Sequence, residues 1–160
     1  MIEVPILVSL TEEEMATAKR VAEKRNSESI TAGYKDKHGY VGDRLIINIT
    51  GAYGELVFCK GFNITWSESV NTFKAPDVGS DIQIRTMLSK WRKLTVRPDD
   101  DPKQRYVLVT GEPPNFRIEG WLYGYEAMQD KWEETYGGRP PAWFVPHTKL
   151  NHDFSSFMKE

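Results

Sequence analysis

The chain has 160 residues, 39% of them hydrophobic and 28% charged, with a formal net charge of -2 and a pI near 6.0. This is the profile of one globular domain with a sizeable core, and it excludes a disordered or fibrous chain. The near-balanced charge argues against a large surface that coats DNA non-specifically, although acids segregated elsewhere would leave room for a locally basic face.

The single cysteine, Cys59, excludes an intramolecular disulfide and any cysteine-based metal cluster. No apolar run approaches the ~20 residues of a membrane span. Met1 leads into a short strand-like run and then charged residues, which is not the pattern of a secretory leader. A soluble cytoplasmic protein with no membrane partner is expected.

Ile2 to Leu10 reads as a strand, at a sheet edge or irregular because of Pro5. Thr11 and Glu14 form a capping box that opens a helix, with Met15, Ala18, Val21 and Ala22 as its apolar stripe. Ile30 to Arg44 is polar and interrupted by glycines. It reads as a solvated loop or, alternatively, as a basic-aromatic arm carrying Tyr34, Lys35, Lys37, His38 and Tyr40 toward phosphates and bases. Leu45 to Ile49 leads into a second helix, with Asn48 or Thr50 as its expected cap.

In that second helix Glu55, Phe58, Cys59 and Phe62 fall at i, i+3, i+4 and i+7, which puts a carboxylate on the core-facing stripe. An acid there is unfavourable unless something pairs with it or binds it. Cys59 is expected to be a buried small hydrophobe. Gly51 and Gly54 predict close approach of another backbone or of a ligand.

A short strand is expected around Pro76, from Thr72 to Val78, followed by a tight turn at Gly79-Ser80. In the next strand Asp81, Gln83 and Arg85 alternate with Ile82 and Ile84, so polar groups line one face. Two further strands, around Leu94–Val96 and Tyr106–Val109, flank the segment Pro98-Asp99-Asp100-Asp101-Pro102. Its acids read as turn chemistry rather than metal ligands.

The unbroken run 106–109 fits a strand buried on both faces. Phe116 to Leu122 is a strand, Tyr125 to Glu134 a helix, and Ala142 to Val145 the last strand. His147 and His152 read as surface residues. Trp121, Tyr123, Tyr125, Trp132 and Trp143 read mostly as core, with an interface as the alternative.

The order helix, four strands, helix, strand describes an α/β layered arrangement with a mixed sheet. With Glu55 on the helix, the Pro76-Asp77 pair, and Gln83-x-Arg85 on the next strand, the sequence resembles the PD-(D/E)XK restriction-endonuclease-like superfamily. The resemblance covers residues 51–145 as an αβββαβ core whose mixed central sheet is flanked by helices. Residues 1–50 would be an N-terminal strand-helix extension and 146–160 a tail of one single domain. GAYGE, PDVG, QIR and RPPAWFVP are also similar to segments of small phage and bacterial proteins, a resemblance that carries no reaction with it.

The superfamily resemblance implies a phosphodiesterase acting on DNA. Glu55, Asp77 and Gln83 would bind Mg²⁺ or Mn²⁺, and Glu55, Asp77, Gln83 and Arg85 would form the catalytic set. Such a metal polarises the phosphate and activates water. Two departures stand out: Gln83 brings no negative charge, and Arg85 stays protonated and cannot act as a general base. The alternative implied is a catalytically inactive protein of this fold that binds nucleic acid or serves in phage assembly, as a homodimer or with a phage structural partner.

Overall fold

A computed structural model describes residues 4–32, 44–68, 77–88 and 91–158. In chain order the elements are β1 (Ile6–Ser9), α1 (Glu12–Ala32), α2 (Arg44–Gly61), β2 (Ile82–Met87), β3 (Lys93–Val96), β4 (Arg105–Glu112) and β5 (Asn115–Tyr123). They are followed by α3 (Gly124–Ala127), a 3-10 turn at Asp130–Trp132, β6 (Glu133–Glu134), β7 (Ala142–Pro146), and 3-10 turns at His147–Lys149 and Ser155–Met158. The chain is a mixed α/β protein with two sheets.

The larger sheet has the order β1-β5-β4-β2, with β2 parallel to β4 and the other pairs antiparallel. The smaller sheet, β3-β7-β6, is antiparallel. β4 is the hinge between two cores. Tyr106, Val107, Leu108 and Val109 are all essentially inaccessible, as the unbroken apolar run predicts. Val107 and Val109 face α2 together with Ile82, Ile84 and Ile118, whereas Tyr106 and Leu108 face Leu94, Val96 and Val145 of the small sheet. The larger sheet therefore lies between a helical layer and a second sheet. β1, the edge strand expected near Pro5, belongs to it.

The capping box at the start of α1 forms in both directions: Thr11 N–H donates to Glu14 Oε1 (2.7 Å) and Glu14 N–H to Thr11 Oγ1 (3.0 Å). Ala18, Val21 and Ala22 bury against α2 as the stripe requires. The C-terminal segment adds Phe154 and Phe157 to an aromatic cluster with Phe58 and Phe62, at ring separations of 4.7 to 6.1 Å.

Several expectations are corrected. α2 begins at Arg44, so Asn48 and Thr50 lie inside it rather than capping it, and Asn48 Nδ2 reaches Asn26 Oδ1 of α1 at 3.4 Å. The expected loop from Ile30 to Arg44 is helical at both ends, and residues 33–43 lie outside the described residues. The strand expected at 72–78 also falls largely outside them.

The helix expected from Tyr125 to Glu134 is a single turn. Gly124 sits against Pro102 Cα, which an added Cβ would meet at 2.8 Å, and Tyr125 N–H donates to Pro102 O. Glu133 and Glu134 then pair with β7 instead of continuing a helix. Long helices consequently cover one face of the larger sheet, and the small sheet covers the other.

One buried acid unforeseen from the sequence ties the two sheets together. Glu119 of β5 is 3% exposed and accepts from Arg92 Nε (2.6 Å) and Nη2 (2.9 Å), Thr110 Oγ1 (2.6 Å) and Arg117 Nε (3.2 Å). Arg92 immediately precedes β3, so this ion pair bridges the sheets. Burial by itself would raise the Glu119 pKa, but the bonds from Arg92, Thr110 and Arg117 outweigh it and hold the carboxyl at about 2.

A folded pKa below the usual 4.5 stabilises above pH 4.5, and that stabilisation disappears as pH falls from 4.5 toward 2. Removing the carboxylate in Glu119→Ala should cost about 3 kcal/mol, the lower end for a broken buried pair because both arginines reach water. Urea midpoints measured from pH 7 to 2.5 should show wild type losing stability in acid faster than Glu119→Gln.

Candidate functional site

α2 lies across β2 because Gly54 lets it. A Cβ at Gly54 would come within 1.7 Å of Thr86 Oγ1, so any larger residue would push helix and strand apart. The close approach predicted for Gly54 is thus made by a side chain of β2, whereas nothing lies within 4 Å of a Cβ added at Gly51. The contact sets Glu55 beside the face of β2 that carries Ile82, Ile84 and Thr86.

Glu55 is buried at 6% exposure with Phe58, Cys59 and Phe62, as its spacing predicts. Its carboxylate is held on both oxygens. Arg25 of α1 donates from Nη1 to Oε2 (3.0 Å) and from Nη2 to Oε1 (2.8 Å), and Trp66 Nε1 donates to Oε1 (3.0 Å). Cys59 is buried, and burial followed by the Glu55 charge pushes its thiol up to about 11, as expected of an inert apolar filler.

Asp77 reaches the same corner from the other side. Val78 and Ile82 pair through two backbone bonds of 3.1 and 3.2 Å around the turn at Gly79, whose φ of 59° suits glycine. The turn folds Asp77 back along the outer edge of β2, where its Oδ2 accepts the Ile84 N–H at 2.7 Å. Burial, and then the Glu55 charge, push Asp77 up to about 6, against the Ile84 bond and the charges of Arg85 and Arg25.

Gln83 and Arg85 point elsewhere. Their alternation with Ile82 and Ile84 is as predicted, and for that reason they occupy the face of β2 opposite Glu55. Gln83 Nε2 donates to Gln104 Oε1 (2.8 Å). Arg85 pairs with Asp100 (2.8 Å) and lies over the Tyr106 ring, 4.9 Å from its centroid. Asp100 also accepts the Arg97 N–H in the expected turn, and Asp81 pairs with Arg105 through two bonds of 2.9 Å. Of the four residues singled out from sequence, Glu55 and Asp77 share a corner, Arg85 reaches Asp77 through its field, and Gln83 stands apart.

A hexacoordinate Mg²⁺ needs open oxygen ligands converging on one point. Here both Glu55 oxygens carry donors, one Asp77 oxygen is bonded to the backbone, and Gln83 is turned to the far face. Among the described residues no group of three or more His, Cys, Asp or Glu is placed to hold a metal. As placed, Glu55, Asp77 and Gln83 do not turn open oxygens toward one common point. Among the described residues no helix is long and apolar enough to cross a membrane.

Arg25 and Trp66 were missed from sequence, but Arg25 had a visible signal. It follows Ala18 and Ala22 at i+7 and i+3, so it stands on the apolar stripe of α1 as Glu55 does on that of α2.

The fold and this corner define a mixed α/β protein with a carboxylate-guanidinium cluster beside β2 of its larger sheet. Comparison with protein families, with curated proteins and with solved structures finds no match.

The raised Asp77 pKa carries a sign opposite to that of Glu119. A carboxyl whose folded pKa is about 6 rather than 3.8 favours the folded state in its protonated form, so stability falls as pH rises from about 4 to 6. Asp77→Asn should remove that decline, read as a flatter thermal-midpoint profile than wild type between pH 4 and 6.

Proposed function

We propose that this chain is a restriction-endonuclease-like protein that binds nucleic acid without hydrolysing it, with the Arg25 guanidinium taking the role a divalent cation plays for the two acids. The observation that carries the reading is the bidentate Arg25–Glu55 pair, shared with Trp66. A guanidinium fork matches a carboxylate on two bonds at once and stays charged at all biological pH. Arg25 is also close enough to Asp77 to lower its pKa, so one cation serves both carboxylates. Arg85, which stands where the superfamily has its lysine, is committed to Asp100 and Tyr106.

α2, the Asp77 turn and β2 follow one another in the order the resemblance implies, whereas β3 and β7 belong to the small sheet and a single helical turn stands where the second helix of that core was expected. The wider alternative, an assembly role with a phage structural partner or as a homodimer, needs no metal either.

A second reading, a Mg²⁺- or Mn²⁺-dependent phosphodiesterase acting on DNA, is favoured by one observation. Glu55 and Asp77 repel each other in a buried corner, and a divalent cation would relieve that repulsion. It requires Arg25 to leave Glu55.

Incubating wild type with single- and double-stranded DNA and either metal separates the two. The proposal expects intact DNA and retained DNA binding. Metal-dependent cleavage that is lost in both Asp77→Ala and Glu55→Ala would overturn it. In the same samples, Arg25→Lys should lower the melting temperature, because a lysine cannot supply the two-pronged bond.

A further inference from the structure

The small sheet carries an aromatic corner apart from the acids. Its strands alternate so that Leu94, Val96 and Val145 face the core, which turns Phe144 to the opposite side. There Phe144 meets Trp91, just before β3, and Tyr136, in the loop between β6 and β7. The three rings stand almost mutually perpendicular: Trp91 to Tyr136 at 5.3 Å and 88°, Trp91 to Phe144 at 6.2 Å and 85°, Tyr136 to Phe144 at 4.8 Å and 88°.

They wall a cavity of about 390 Å³ whose lining is completed by Met87, Arg97 and Arg139, among others. That volume lies in the lower part of the range of small-molecule sites, roughly 300–1,000 Å³, and suits one nucleotide-sized group. The corner is partly open, since Tyr136 is 39% exposed.

Rings alone would serve several ligands, and an aromatic corner of this shape also suits a methylated ammonium group. Two guanidiniums line the cavity, and Lys93 Nζ lies 4.7 Å from the centroid of the Trp91 ring. Among the described residues Glu134 stands at this rim, accepts from the Tyr136 hydroxyl and lies 4.0 Å from Lys93. The surroundings favour an anion attached to a flat apolar ring.

We propose that the Trp91–Tyr136–Phe144 corner binds single-stranded nucleic acid, stacking one base among its rings while Arg97 and Arg139 hold the adjoining phosphates. This rests on the nucleic-acid reading above and adds where, and in which form, the strand is held.

Fluorescence anisotropy of a labelled short oligothymidylate tests it. Wild type should bind, and Trp91→Ala and Tyr136→Ala should each weaken binding about 5- to 150-fold, the range for losing one base stack. The exposed Tyr136 keeps the test interpretable if Trp91→Ala fails to fold. Arg97→Ala/Arg139→Ala should lower the slope of log affinity against log salt by about 1.4, two phosphate contacts on a single strand.

Equal binding by wild type and all variants, or binding of duplex DNA alone, overturns the corner and leaves nucleic-acid binding standing. Absence of any nucleic-acid binding overturns both. A trimethyl-lysine peptide bound in place of the oligonucleotide would reassign the corner to a cation.

Discussion

The packing of the helical layer depends on one buried ion pair. Glu55 sits on the core face of α2, at a depth where an unpaired carboxylate would be neutralised or expelled. Arg25 meets it from α1, so the two helices are joined by charge as well as by the alanine stripe between them. The pair holds Glu55 in a fixed place beside β2, and Gly54 sets how closely helix and strand approach. Asp77, brought to the edge of β2 by the turn at Gly79, then experiences a carboxylate it cannot escape and a guanidinium that partly compensates.

Glu119 repeats this arrangement on the other side of the larger sheet. It too is buried and paired with guanidinium, this time from two arginines, Arg92 and Arg117, with the Thr110 hydroxyl added. The outcomes differ because the donors differ. Glu119 accepts four bonds and its pKa drops, whereas Asp77 has one backbone bond and a neighbouring acid, and its pKa rises. Among the described residues each face of the larger sheet therefore carries a well-compensated acid, Glu55 or Glu119, while Asp77 at the edge of β2 is poorly compensated.

Local signals were legible in the sequence where local physics decides. The capping box, the stripe of α1, the doubly buried run of β4 and the burial of Glu55 all follow from period and neighbour chemistry. What was not legible depends on contacts distant in sequence. Alternation put Gln83 and Arg85 on one face, but only the packing of α2 tells that Glu55 is on the other. Periodicity suggested a helix at 125–134, and pairing of Glu133 and Glu134 with β7 outcompeted it. The rings of the Trp91–Tyr136–Phe144 corner come from three separate segments, with no spacing to link them. Arg25 was readable in retrospect, since a cation on an apolar stripe asks for a buried anion as surely as the reverse.

On the proposed reading Arg25, and not a divalent cation, closes the Glu55–Asp77 corner. Titration calorimetry of Mn²⁺ into wild type, with Asp77→Ala as the control, addresses it most directly. Wild type should give no heat of binding beyond that of the control. Saturable binding by wild type that vanishes in Asp77→Ala would contradict it, and would make Arg25 a placeholder that the cation displaces.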